Sequence, residues 1–213
     1  MTKIEAARQE YMDWCHAVGI DTIEKLNEAL ALGKGIELIN LCEARQERKY
    51  ADAADQIYWN RRDCRIVMMS GPSSSGKTSS SLRIAQQARV LGLNPKVIEL
   101  DNYFLDRDRT PRDENGEYDF EALEAMDVEY LNMQLSALLR GEEIEVPKFD
   151  FASGCRKSSG CRLSLGENDI LFMEGIHALN PSVTGYDDET TRIYVSVRTR
   201  ITAHDGSVLH PSK

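Results

Sequence analysis

The stretch of sequence best suited to chemistry is a loop of small residues that ends in Lys77 and Thr78. It reads SGPSSSGKTS over residues 70–79 and fits the pattern G-x-x-x-x-G-K-[ST], with Gly71 and Gly76 as its glycines. The glycines allow a tight turn whose backbone N–H groups point inward and bind an anion, and a following helix presents its positive end to the same anion. The pattern predicts a phosphate-binding loop (P-loop). A Ser/Gly-rich linker is the competing interpretation.

The loop predicts which nucleotide groups are bound. Lys77 is expected to reach the outer phosphates of a nucleoside triphosphate, and the Thr78 hydroxyl is expected to coordinate Mg²⁺. Hydrolysis, switching and phosphoryl transfer all remain open at this point, although no Asn/Thr-Lys-x-Asp motif of a GTPase-type switch is visible. The predicted nucleotide-binding residues are Gly71, Pro72, Ser73, Ser74, Ser75, Gly76, Lys77, Thr78 and Ser79.

Two carboxylates follow apolar runs that are typical of buried strands. Asp101 comes after VIEL, and Glu174 comes after ILFM. Because ligands of open α/β sheets bind beyond the carboxyl ends of the strands, both side chains are expected near the phosphate loop. A carboxylate there can hold Mg²⁺ or accept the proton of an attacking hydroxyl. An N-cap or a loop salt bridge is the alternative for each residue taken singly.

The elements that must position these residues alternate between strands and helices. Short apolar runs predict strands at 66–69, 96–100, 170–173 and 193–197, and helical periodicity predicts helices at 79–91 and 127–140. This order is typical of an α/β fold with a parallel, doubly wound sheet. Residues 143–149 and 162–165 are predicted to be extended, and 106–118 and 153–159 to be loops.

The first 60 residues differ in composition and predict helices alone, at about 4–18, 21–32 and 36–58, with Asp21 as the N-cap of the second. We therefore predict a helical N-terminal segment, residues 1–60, followed by an α/β domain with the P-loop, residues 61–213.

Composition and sequence patterns limit which partners the protein is expected to bind and the compartment in which it is expected. The chain of 213 residues has a formal net charge of −9, which argues against nucleic-acid binding through overall charge. No apolar run approaches the roughly 20 residues that cross a bilayer, and the N-terminus lacks the pattern of a signal peptide, so we expect no membrane partner and a cytoplasmic protein. The five cysteines form no CxxC pair and are expected to be reduced.

Four motifs together resemble the uridine kinase and phosphoribulokinase family. They are LDNYF, YDFEAL, VPKFDF and FMEGIHALNP. The N-terminal helical region is similar to that of bacterial uridine kinase-like proteins that carry a threonyl-tRNA-synthetase-like segment. The resemblance implies a P-loop NTPase-type parallel sheet flanked by helices, in the order second, third, first, fourth strand. It also implies ATP-dependent phosphorylation of a hydroxyl of a nucleoside, uridine- or cytidine-like, or of a similar small molecule.

The resemblance also implies roles for individual residues. Asp101 would act as the base on the acceptor beside Lys77, and Mg²⁺ would lie near Thr78, Asp101 and Glu174. Phe120 and Phe151 are expected to be core residues, and Arg107, Arg109 and Arg112 solvated surface. The residues expected around the acceptor are Tyr103, Phe104, Tyr118, Asp119, Phe149 and Arg156.

The sequence departs from the family pattern at two places. Gly154 stands where uridine kinases carry a base-reading histidine, which leaves the acceptor's identity open. The arginine-rich lid and the last strand expected after the fourth strand are not found before Lys213, so weak phosphoryl transfer is expected. The alternative is a catalytically weak or silent nucleotide-binding module with a regulatory or scaffolding role. The fourth strand would then form an exposed sheet edge, which predicts self-association.

Overall fold

A computed structural model describes residues 2–183, 190–196 and 201–209. The described residues divide into two compact units, one of residues 2–48 with 201–209 and one of residues 49–183 with 190–196. The predicted domain boundary at 60/61 stays a prediction. In chain order the elements are α1 Lys3–Val18, α2 Ile23–Ala31, α3 Gly35–Asn60, β1 Ile66–Ser70, α4 Lys77–Val90, β2 Asn94–Glu99, α5 Val128–Leu139, β3 Ile144–Asp150, β4 Cys155–Leu163, β5 Asp169–Glu174, β6 Thr190–Tyr194, β7 Ile201–Thr202 and β8 Val208–Leu209.

The N-terminal helices begin and end as their local sequence predicts, with one exception. Thr2 and Glu5 form a capping box at the start of α1, and Gly19 ends that helix in the left-handed conformation. The cap of α2 is Thr22, so the prediction of Asp21 is wrong. The Asp21 carboxylate instead accepts a hydrogen bond from Lys25 Nζ at 2.7 Å and pairs with His16 Nδ1 at 3.0 Å.

The second unit is built on a four-stranded parallel sheet in the order β2-β5-β1-β6. This is the predicted order, with β1 and β5 in the centre. Both central strands are buried along their whole length because helices and loops cover both faces. Alternate residues of β1 therefore enter two separate cores: Ile66 and Met68 pack on one face, and Val67 and Met69 on the other.

The predicted loop at 153–159 is wrong, since strand β4 covers it from Cys155 onward. β4 pairs antiparallel with β3 as a separate hairpin. Its residues are almost all exposed and polar, so the hydrophobic alternation that indicates a strand is missing from its sequence. Backbone pairing with β3 defines this strand.

Smaller differences concern strand ends. Leu100 opens a 3₁₀ turn, Leu100–Tyr103, and does not close β2. The fourth strand of the sheet begins at Thr190, earlier than predicted, and the last predicted position, 197, lies outside the described residues. Within the described part of the chain, no helix is both long and apolar enough to cross a bilayer.

Candidate active site

The predicted phosphate loop connects β1 to α4 at the carboxyl edge of the sheet. Its backbone turns sharply, with Ser74 at φ +57° and Gly76 at φ +84°. Inside the loop the backbone carbonyl of Pro72 accepts two hydrogen bonds, one from the N–H of Ser75 at 3.2 Å and one from Lys77 Nζ at 2.9 Å. The Lys77 ammonium thus folds back over the loop.

Gly71 is required by a close approach of another strand. A Cβ at this position would collide with the backbone carbonyl oxygen of Val195 and lie 2.8 Å from Ser75 Oγ. Val195 directly follows β6 and donates its N–H to the carbonyl of Ser70 at 2.8 Å. The backbone after the edge strand therefore forms one wall of the loop.

The loop has the features of an anion site. α4 begins at Gly76 without a side-chain cap, so its first N–H groups remain available to an anion. Ser75 Oγ is buried and has no hydrogen-bond partner among the described residues. Buried polar groups without partners are rare and need an explanation. These donors fit the phosphates of a nucleotide.

The two predicted carboxylates lie at the ends of neighbouring strands. β2 and β5 pair in register up to Glu99 and Glu174, and Asp101 follows β2 by two residues. The ends of the two strands lie close together. A Cβ on Gly175 would lie only 2.7 Å from the Cβ of Leu100. Glu174 is buried and accepts a hydrogen bond from Thr78 Oγ1 at 2.5 Å.

The charges at this edge influence one another. Desolvation raises the pKa of the Asp101 carboxyl, and the Glu174 carboxylate raises it further, whereas Lys77 and His177 act in the opposite direction. The pKa of Glu99 is also raised, mainly by desolvation and then by Glu174 and Asp101. The excess of negative charge at this edge favours binding of a cation. It also stabilises the protonated form of the Asp101 carboxyl.

The donor set fits a magnesium ion held partly by its nucleotide. Among the described residues, no three His, Cys, Asp or Glu side chains form a metal-binding group. Mg²⁺ does not need one, since it keeps several waters and is bound through one or two carboxylates together with substrate phosphates. Thr78, Glu174 and Asp101 supply oxygen ligands of the required type.

The residues predicted around the acceptor fall into two groups. Tyr103 is completely buried, and its hydroxyl donates to Gln134 Oε1 at 2.7 Å, so its ring is part of the core and does not face an acceptor. Phe104 and Phe149 are buried in an aromatic cluster with edge-to-face contacts at 5.7 Å. Phe151, expected in the core, is 56% exposed because it lies at the hairpin turn.

The remaining predicted acceptor residues lie nearer the surface. Tyr118 is partly exposed, with the guanidinium of Arg112 4.2 Å from its ring centre. One carboxylate oxygen of Asp119 accepts the N–H groups of residues 121 and 122. Arg156 pairs with Asp127 at 2.8 Å, and its Nη1 is buried without a hydrogen-bond partner in the described part of the chain.

Two residues near the proposed base were missed in the sequence. Glu99 ends β2, and His177 comes three residues after Glu174. His177 lowers the pKa of Asp101, and Glu99 itself has a raised pKa. His177 Nε2 is buried without a hydrogen-bond partner among the described residues. The run EGIHAL, directly after a predicted strand, was the signal that could have identified this histidine.

Comparison with curated proteins gives several uridine kinases. The uridine kinase of Halobacterium salinarum is 31% identical over 114 residues, which cover 54% of this chain and 48% of that protein. The uridine kinase of Staphylococcus aureus strain JH9 is 31% identical over 130 residues, 61% of this chain and 60% of that protein. The chain spans about half the length of the curated relatives that it matches.

Solved structures show the same fold. A structure from Silicibacter sp. TM1040 named for a fructose transport system kinase has a TM-score of 0.54 and 22% identity, covering 67% of this chain and 73% of its own. A structure from Bacillus stearothermophilus named for a uridine kinase has a TM-score of 0.51 and 21% identity, covering 66% and 79%.

The family model described as phosphoribulokinase / uridine kinase family matches residues 66–199, from β1 past the end of β6. The match includes the phosphate loop, both carboxylates and the β3–β4 hairpin. The chain therefore belongs to the phosphoribulokinase / uridine kinase family.

Proposed function

We propose that this protein is an ATP-dependent kinase that transfers the γ-phosphoryl group to a hydroxyl of a nucleoside or a similar small molecule, with Mg²⁺. One observation carries the proposal: Asp101 and the Thr78–Glu174 pair lie at the same sheet edge as a phosphate loop with unpartnered donors. Family membership and the uridine kinase relatives support the same reaction class.

Each of these residues would have a different role in phosphoryl transfer. The loop N–H groups and Lys77 would hold the phosphates, and Thr78 with Glu174 would hold the metal ion, which neutralises charge on the transferred group. Asp101 would accept the proton of the attacking hydroxyl. Its raised pKa suits this task, because a base with a pKa nearer the working pH accepts a proton more readily.

The test compares Asp101→Asn with the wild type and with Asp108→Asn, a matched change at an exposed position of the same segment. Product is followed with labelled ATP and a panel of uridine, cytidine, adenosine and guanosine, and ATP binding is measured by calorimetry. We expect Asp101→Asn to bind ATP normally and to lose about 10²–10⁴-fold in turnover, while Asp108→Asn behaves as the wild type.

Two results would contradict the proposal. Undiminished transfer by Asp101→Asn would show that the assigned base is wrong. ATP binding by the wild type without product from any acceptor would favour the nucleotide-binding module instead. Chelation of Mg²⁺ with EDTA is expected to abolish transfer, and added Mg²⁺ to restore it.

A further inference from the structure

The inference concerns Arg107 and the hairpin turn, and it rests on the proposed function. Gly154, in the turn between β3 and β4, is buried at φ +70°. A Cβ there would lie 2.5 Å from Arg107 Nε and 2.7 Å from Arg107 Cζ. The guanidinium group of Arg107 thus occupies the space that a side chain at position 154 would need. The expectation that Arg107 is solvated surface is wrong, since its side chain is half-buried.

Arg107 is fixed against the turn by several contacts. Its backbone N–H donates to the carbonyl of Gly154 at 2.7 Å, and its Nη2 donates to the carbonyl of Phe151 at 2.6 Å. Next to it, Asp106 Oδ1 accepts the backbone N–H of Arg156 at 2.8 Å. These bonds from both sides hold the segment that follows Asp101 to the hairpin. The guanidinium therefore has a defined position against the turn.

In the part of the chain that the structure describes, the fixed guanidinium has no counter-charge. Within the described ranges no carboxylate forms an ion pair with Arg107, and the Phe151 carbonyl is the one hydrogen-bond acceptor of its side chain. A guanidinium has five N–H donors and no acceptor. The guanidinium lies near the partly exposed ring of Tyr118, whose centre is 6.0 Å from Arg107 Cζ.

The hairpin also sets the distance between Arg107 and the proposed base. The N–H of Phe149 donates to Asn102 Oδ1 at 3.1 Å, next to Asp101, and Phe151, two residues further on, contacts Arg107. Through these two contacts the hairpin joins the segment that carries the proposed base to the segment that carries Arg107.

We propose that Arg107 is the specificity-determining residue of the acceptor site. It recognises, at the end of the acceptor remote from the phosphorylated hydroxyl, a group that only accepts hydrogen bonds, such as a ring carbonyl. A ring that presents an amino group at that place is disfavoured, because two donors would face each other. Among pyrimidine nucleosides this selects uridine, with a carbonyl at C4, over cytidine, with an amino group there.

The test measures kcat/KM for uridine and cytidine in the wild type, Arg107→Ala and Arg109→Ala, the last a matched change at an exposed arginine two residues away. We expect the wild type to prefer uridine at least tenfold. Arg107→Ala should raise the KM for uridine at least tenfold and bring the ratio of the two kcat/KM values close to one. Arg109→Ala should change neither value.

Gly154→Ala provides an independent variant, since its methyl group would displace the guanidinium without removing it. It should reproduce the loss of preference seen in Arg107→Ala, while calorimetric ATP binding reports that each variant is folded. An equal loss for both nucleosides with an unchanged ratio would mean that Arg107 merely supports the hairpin, and would overturn the proposal. A wild type that prefers cytidine, or that shows no preference, would overturn it as well. Failure of the wild type to phosphorylate any acceptor would instead refute the proposed function, and with it this inference.

Discussion

At the scale of single residues, Gly71 is the position where the phosphate loop tolerates least change. Alanine would bring a methyl group into the Val195 carbonyl oxygen. We predict that Gly71→Ala lowers the free energy of unfolding by about 1–3 kcal/mol through overpacking and weakens ATP binding at least tenfold. Thermal unfolding and calorimetry measure both effects. Gly166→Ala is the control, since its Cβ would lie at an ordinary 3.6 Å from Asp169; equal behaviour of the two variants would contradict the prediction.

The raised pKa of Asp101 has a consequence for stability. A carboxyl whose pKa is higher in the folded than in the unfolded protein binds protons more readily when folded. Its ionisation therefore destabilises the fold above the folded pKa, and this cost disappears below the ordinary pKa of 3.8. Asp101 is partly open to solvent, which screens most of this cost. We therefore predict that Asp101→Asn raises the melting temperature of the ligand-free protein only slightly at pH 7 and not at all below pH 3.8.

Melting curves of Asp101→Asn and Asp108→Asn from pH 3 to pH 8 check this prediction. The exposed Asp108 serves as the matched control, and its variant should follow the wild type throughout. A lower melting temperature for Asp101→Asn at pH 7 would mean that the carboxylate stabilises the fold. Mg²⁺ is expected to reduce the difference, because it favours the ionised wild-type carboxyl.

Sequence reasoning places correctly in the fold those residues whose position depends on short-range geometry, while their roles stay predictions. The loop glycines and Lys77 follow from the turn itself, and Glu174 from the end of a buried strand. It failed for Tyr103, because the direction of a side chain on a 3₁₀ turn is decided by what packs against it. Gln134, 31 residues away, supplies the partner of its hydroxyl, and no local pattern indicates this contact.

At the scale of elements, Gln134 joins α5 to the 3₁₀ turn after β2 and to β3. Its side-chain oxygen accepts from Tyr103, and its side-chain nitrogen donates to the carbonyl of Glu145 at 2.8 Å. We predict that Gln134→Leu lowers the free energy of unfolding by about 2–4 kcal/mol, since it leaves these buried groups unpaired. Tyr103→Phe should cost about 1 kcal/mol.

Urea unfolding measures both values. Gln86→Leu, a change of the same kind at an exposed position of α4, is the control and should cost little. If Tyr103→Phe proved as costly as Gln134→Leu, the Tyr103 hydroxyl would contribute more than the bonds to β3. Comparing the two losses of unfolding free energy therefore tests whether the bond of Gln134 to Tyr103 or its bond to β3 contributes more.

The parallel sheet could be predicted and the hairpin only in part, for a physical reason. Buried strands consist of apolar residues and can therefore be recognised in the sequence. The loop–helix motif that follows the first strand also fixes the position of that strand. β4 carries polar residues on both faces, so nothing in its sequence distinguishes it from a loop. Its pairing with β3 provides the stabilisation that its side chains do not.

At the scale of the whole molecule, β6 forms an edge of the sheet in the described part of the chain. Val195 donates to the carbonyl of Ser70, so the N–H of the preceding Tyr194 points away from β1. Tyr194 is 56% exposed. We predict that the protein self-associates through this edge, and that Tyr194→Lys weakens association at least tenfold, because a charged edge strand opposes pairing.

Light scattering and sedimentation over a range of protein concentrations measure this association. Arg89→Lys, on an exposed part of α4, is the control and should associate as the wild type does. A wild type that stays monomeric at every concentration would refute the prediction. Tyr194→Lys should keep the wild-type melting temperature, since its side chain lies outside both cores.

The carbonyl of Val195, at the end of this edge strand, also limits the space of the phosphate loop at Gly71. A shift of the edge backbone would consequently also move the phosphate loop at the position where an anion would bind. Thermodynamic linkage then makes the effect mutual: if pairing at the edge changes nucleotide affinity by some factor, nucleotide changes the pairing constant by the same factor. Measuring nucleotide affinity as a function of self-association would therefore also give the effect of nucleotide on the pairing constant.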